Sequence, residues 1–291
     1  MVLIISLKNI RNDYNGFSQI INLARELEPV LFKDIEIDMS RVDWFEANMC
    51  APLGAVLYKA SRRLNSVIIS NLQAKVEKIL RKNGFLGNYG RSPVSDTYGT
   101  TIPYQRFEPK DDRYFGAYIS RHLVGKGIPE MSVGLRKKFQ ESIFEIFSNA
   151  VIHSQTPLGI YSCGQFFPNK NCLDFSIADL GIGICRNLQQ KVGLVFSSEK
   201  AIEWALTGRN TTKTGPIPGG LGLKLLREFL TLNQGRMQIV SDRGYLELSE
   251  GEVILQSFSY PFPGTVVNLE FNTSDTKSYC LQSELRSEDI F

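Results

Sequence analysis

The chain has 291 residues, 43% of them hydrophobic and 22% charged, and its 33 basic against 30 acidic side chains leave a net charge of +3. That length exceeds what one core usually organises, so two domains are expected. So small a basic excess excludes an electrostatic case for nucleic acid as a principal partner. Five cysteines (Cys50, Cys163, Cys172, Cys185, Cys280) show no C-x-x-C spacing, and only His122 and His153 add possible metal donors. Isolated thiols fit a cytoplasmic protein better than a disulfide scaffold or a zinc site. The apolar start Val2–Ile5 is too short to cross a bilayer and no basic residue precedes it, so neither a signal peptide nor a membrane anchor is expected.

Residues 1–86 read as a small α/β domain. Residues 2–7 look like a strand. Residues 17–32 show helical spacing in Ile20, Ile21, Leu23, Ala24, Leu27 and Leu31. Ile35 and Ile37 alternate with Glu36 and Asp38 in a half-buried strand pattern over 34–39. A helix over 51–64, a short strand at 67–70 and a helix over 73–82 follow, the last stopped by Asn83-Gly84.

From 87 to 130 the composition turns to Gly, Ser, Thr, Tyr and Pro, which predicts a connector with one short helix near 114–124. A second domain spans 131–272. Phe139, Ile143, Ile146 and Ala150 form one apolar face of a long helix. Strands are expected at 158–166 and 173–178, a helix at 221–232, and closing strands at 236–240, 252–257 and 265–271. The tail 273–291 is polar and expected to fray.

Three patterns in this second domain carry chemistry. Glu145 and Asn149 stand four apart on one helical face. A carboxamide oxygen suits magnesium, and a carboxylate one turn away can take a proton from an attacking water or hydroxyl. Asp179 ends an apolar strand and precedes Gly181 and Gly183; it can accept from an adenine amino group while the glycines let backbone approach the base. Gly219-Gly220-Leu221-Gly222 opens a helix whose free amides and positive dipole end suit phosphate. Each pattern alone also reads blandly: a solvated helix pair, an Asp-x-Gly turn, a glycine hinge. Arg209 and Lys213, in a loop that can close over a ligand with Pro216 and Pro218, are further phosphate candidates.

Taken together the three resemble the ATP-binding module shared by gyrase B, heat-shock chaperone ATPases, sensor histidine kinases and MutL, the GHKL superfamily. The resemblance implies a Bergerat-type α/β sandwich, a mixed sheet with helices on one face, binding ATP and Mg2+. It implies that Glu145 is the catalytic carboxylate, Asn149 the magnesium ligand, and Asp179, Gly181 and Gly183 the adenine-side residues. Gly220, Leu221 and Gly222 then fall in the phosphate box, and Thr265, after Gly264, holds the adenine through water. His153 continues the Asn149 face, as in the anti-sigma kinase branch, although a polar helix-end residue is the simpler reading. The first domain resembles a STAS domain, the fold of anti-sigma-factor antagonists, through 35–43, 53–63, 67–72 and 78–85. The family's D-S-S-G phosphoacceptor turn corresponds to Glu46-Ala47-Asn48-Met49, which has no hydroxyl.

The expected function is a Mg-ATP-binding regulatory protein, a slow ATPase or an anti-sigma-type protein Ser/Thr kinase. The alternative is a non-catalytic, ATP-operated interaction switch. A sensor histidine kinase ranks below both, because its sole upstream phosphoacceptor candidate, His122, lacks the acidic neighbour typical of that family and lies on a short expected helix. The expected partner is a protein, with a STAS or sigma-regulatory protein and a second copy of the chain as candidates.

Overall fold

The computed structural model describes residues 2–123, 125–207 and 221–285. The first unit runs β1 (Leu3–Ile10), α1 (Tyr14–Leu27), β2 (Asp34–Phe45), α2 (Cys50–Arg62), β3 (Ser66–Ser70) and α3 (Ala74–Lys82). Its strands form one parallel sheet in the order β1-β2-β3, and Ile5, Ile37 and Ile69 share a buried register row. Asp13 caps α1 by accepting from the Gly16 amide at 2.8 Å. The helix stops five residues short of the expected end. Pro29 has no N–H to continue the ladder, and Leu31 is exposed.

The second unit begins earlier than the sequence suggests. Residues 87–130, read as a connector, contribute β4 (Thr101–Phe107) and α4 (Asp112–His122), followed by the two-residue β5 (Glu130–Met131). Next come α5 (Val133–His153), β6 (Ile160–Phe167), β7 (Cys172–Asp179), α6 (Gly183–Val192), α7 (Ser198–Leu206), α8 (Leu221–Asn233), β8 (Arg236–Ser249), β9 (Glu252–Asn272) and β10 (Ser278–Tyr279). The two closing strands expected at 252–257 and 265–271 are one long strand, β9, whose outer half pairs with the extended end of β8.

The main sheet has the order β4-β6-β7-β9-β8, and every neighbouring pair is antiparallel. The expected mixed sheet is corrected accordingly. The second unit's own helices lie on one face of this sheet, as expected, and the first unit covers the other. Leu173, Phe175 and Ile177 of β7 pack with α4, α5 and α8 in one core, whereas Ala178, with Tyr161, Cys163, Val240 and Val266, packs on the other side against α1 and α2. The alternation is that of any strand buried on both faces. The layers therefore run three-stranded sheet, α1 and α2, five-stranded sheet, and α4, α5 and α8. Lying between two sheets, α2 buries Cys50, Ala51, Pro52, Leu53, Gly54, Ala55, Val56 and Leu57 in an unbroken run.

A polar network crosses this second face. Asn48 donates to Ser176 Oγ (3.1 Å) and Asn268 Oδ1 (2.8 Å), and Asn268 donates to Asn12 Oδ1 (2.7 Å) and Gln238 Oε1 (2.9 Å). Asn48 lies in the turn that the STAS resemblance aligns with the phosphoacceptor. There Ala47, Asn48 and Met49 form a buried 3-10 turn against the sheet. Part of the tail also departs from expectation: Glu284 accepts from the Ser132 hydroxyl and the Gly134 amide at the start of α5, and β10 pairs with β5. Among the described residues, no helix is long and apolar enough to cross a membrane.

Candidate functional site

At the end of β7, Asp179 sits opposite Thr265 of β9, on the sheet face that carries Phe175 and Ile177 toward α4, α5 and α8. Its Oδ1 accepts from the Gly181 amide at 2.8 Å. Asp179 is 4% exposed, and burial pushes its carboxyl up to about 7, partly offset by hydrogen bonds from the Gly181 and Thr265 amides and the Ser154 hydroxyl. Gly181 is required by close approach: a Cβ there would lie 2.1 Å from the Ser154 carbonyl oxygen. That carbonyl also accepts from the Ile182 amide at 2.8 Å, so the turn after β7 is tied to the end of α5. Gly183 opens α6 with φ +75°, beside Ser241 Oγ. Ser241 in turn contacts Thr265 Oγ1 at 3.0 Å and accepts from the Ile184 amide at 2.9 Å. Asp179, Gly181, Gly183 and Thr265 thus gather in one cluster.

Nine residues back along α5, on the order of 13 Å by helical rise, is the second cluster. Ser132 caps α5 by accepting from the Leu135 amide at 3.1 Å, and Phe139, Ile143, Ile146 and Ala150 bury its inner face. Glu145 Oε2 accepts from the Gly222 amide at 2.9 Å. A carboxylate thus meets the first turn of α8, where unpaired amides and the helix dipole favour an anion. A Cβ on Gly222 would lie 2.3 Å from that oxygen and 3.0 Å from the Ser142 Cα, so glycine lets α8 begin directly against α5. Asn149, half-buried one turn beyond Glu145, lies between the two clusters along the helix, and its side chain makes no hydrogen bond among the described residues.

Gly219, Gly220, Arg209, Lys213, Pro216 and Pro218 lie outside the described residues, as does the side chain of Leu221. The buried apolar stripe of α8 is Leu226, Phe229 and Leu230. The residues that precede the loop expected around Arg209 and Lys213 form the helices α6 and α7. His122 lies at the end of α4 with its ring 5.2 Å from that of Tyr118, and burial, with Lys126 and Arg121 nearby, lowers its pKa.

Sequence reasoning missed Ser154 and Ser241, the hydroxyl residues that bind the Asp179 corner together. Neither stands in a motif. The only available signal was position, Ser154 one residue past the end of a long helix.

Asn149 and Glu145, one turn apart on α5, carry the hard oxygen atoms that a divalent ion takes, whereas the Gly222 N–H, which meets Glu145, can donate only to an anion such as a phosphate oxygen. No protein-family model matches the chain, and no curated protein matches it.

Proposed function

We propose that the chain binds Mg-ATP and acts as a slow ATPase or as a kinase of protein Ser/Thr hydroxyls, in a cytoplasmic regulatory setting. The observation that carries the reading is the convergence on α5 of sequence patterns that are separate along the chain: Asp179, Gly181, Gly183 and Thr265 near its end, and Gly222 against Glu145 at its middle. Asp179 would accept the adenine amino proton inside a dry pocket. Thr265 and Ser241 would hold a bridging water against the base. Asn149 would offer its amide oxygen to magnesium, and the first amides of α8 would face the phosphates. Glu145 would take the proton from the attacking water or hydroxyl. Magnesium and the triphosphate, when bound, supply the electrophilic phosphorus and neutralise its charge. A Bergerat-type ATP unit joined to a STAS-like unit is the finer fold this reading implies.

Calorimetry of the full chain with a non-hydrolysable ATP analogue and Mg2+ tests it. The wild type and Glu145→Gln should bind, Asp179→Ala should not, and Glu145→Gln should lose phosphate release with authentic ATP. Absence of heat with every adenine nucleotide would overturn the proposal.

A second reading, a non-catalytic ATP-operated switch, is favoured by one contact: Glu145 Oε2 is engaged by the Gly222 amide. Binding without phosphate release, coupled to capture of a protein partner, would select it.

A further inference from the structure

Cys50 and Cys163 come from opposite sides of the boundary between the two units. Cys50 opens α2, and Cys163 lies on the face of β6 that packs against the first unit. Both are fully buried. The side-chain amide of Asn83, itself buried, donates to both sulfurs, at 3.3 Å to Cys50 and 3.5 Å to Cys163. One nitrogen that reaches two sulfurs keeps them together. Asn83 is anchored in turn: its Oδ1 accepts from the Phe85 amide (3.0 Å), and its carbonyl accepts from the Tyr104 amide (2.7 Å). Phe85, Tyr89, Tyr104 and Tyr161 pack in the same core. The other three cysteines are elsewhere: Cys172 starts β7, Cys185 lies in α6, and Cys280 is exposed near the end of the described chain.

We propose that Cys50 and Cys163 are an oxidisable pair whose conversion to a disulfide fastens the first unit covalently to the five-stranded sheet. With a small-molecule disulfide as oxidant, one cysteine thiolate attacks an oxidant sulfur and expels one thiol. The second thiolate attacks the resulting mixed disulfide at the protein sulfur and expels the other. The pair gives up two electrons and two protons, and the oxidant takes them and leaves as two thiols. Burial, with Cys163 adding to it, holds the Cys50 thiol well above its usual range. The closed boundary therefore reacts slowly, and the bond forms when the two units part enough to admit the oxidant. Once formed, it closes a long loop and restricts the unfolded chain. This inference is independent of nucleotide binding.

The test uses the full chain with Cys172, Cys185 and Cys280 replaced by serine. It is incubated with glutathione disulfide, both in buffer and in urea just below the unfolding transition. Remaining thiols are then alkylated in denaturant and the peptides mapped by mass. The expected result is a Cys50–Cys163 linked peptide pair, forming faster in urea, and an unfolding midpoint raised by about 5 °C that returns on reduction. C50A and C163A should each abolish the link; if either fails to fold, the same mass map on the wild-type chain decides. Two thiols still alkylated under both conditions, or separate glutathione adducts without the link, would overturn the proposal.

Discussion

The two faces of the five-stranded sheet are built on different principles. The face toward α4, α5 and α8 is a dry aromatic and aliphatic core, with Phe115 stacked on Phe147 at 4.4 Å and Phe175 fully buried, and it carries one acid, Asp179, at its end. The face toward α1 and α2 mixes apolar residues with carboxamides that bond one another across the boundary. Apolar packing tolerates many arrangements of similar volume, whereas a buried carboxamide network is favourable only when each member meets its partner. The first face supplies bulk stability and the second fixes how the two units register.

That contrast can be broken at several points. Phe175→Ala should have the largest effect. Removing a fully buried ring from the dry face is expected to cost about 4 kcal/mol, read as a lower urea midpoint with little change in slope. Next, Asn268→Leu should cost about 3 kcal/mol, because Asn12, Asn48 and Gln238 would keep buried polar atoms without their partner. The double variant Asn48→Ala/Asn268→Leu should cost less than the sum of the singles, which a double-mutant cycle measures.

Asp179 gives a pH signature. Its carboxyl stands near 7 when folded against 3.8 for the free group. The folded state therefore holds the proton more tightly, so the associated stability is complete below about pH 4 and is lost as pH rises to about 7. Asp179→Asn should flatten that slope, and its stability relative to wild type should rise by a few kcal/mol across the window. Equal slopes in the two proteins would remove burial of this acid as the cause. The smallest effect is expected at the surface, where Lys59→Ala, which removes the 2.7 Å pair with Glu28, should change stability by less than about 1 kcal/mol.

What the sequence made legible follows the same divide. The dry face was readable because helical spacing places Phe139, Ile143, Ile146 and Ala150 together, and all four are buried. The position of Asp179 was readable because an apolar strand runs up to it and Gly181 and Gly183 follow, although alone that pattern is also an ordinary turn. The network was not, because Asn12, Asn48 and Asn268 are far apart and nothing local distinguishes a bridging asparagine from a turn residue. β4 was missed for a different reason. Pro103 argues against a strand, yet β4 is the edge strand of its sheet, where a missing donor is tolerated. The glycine-rich run around Leu221 was legible as a pattern, and of its glycines Gly222 falls among the described residues.

The long β8–β9 hairpin has a consequence for synthesis. Its outer half reaches back to the opening helix of the chain, where Tyr14 stacks on Phe258 at 4.5 Å and donates its hydroxyl proton to the Ser257 carbonyl, and Arg25 lies 4.1 Å over the Tyr260 ring. Residues that leave the ribosome early therefore wait for residues made more than two hundred positions later before that surface is covered. Contacts of such separation form slowly, so the nascent amino-terminal segment exposes apolar surface during translation and is the part that a chaperone would guard.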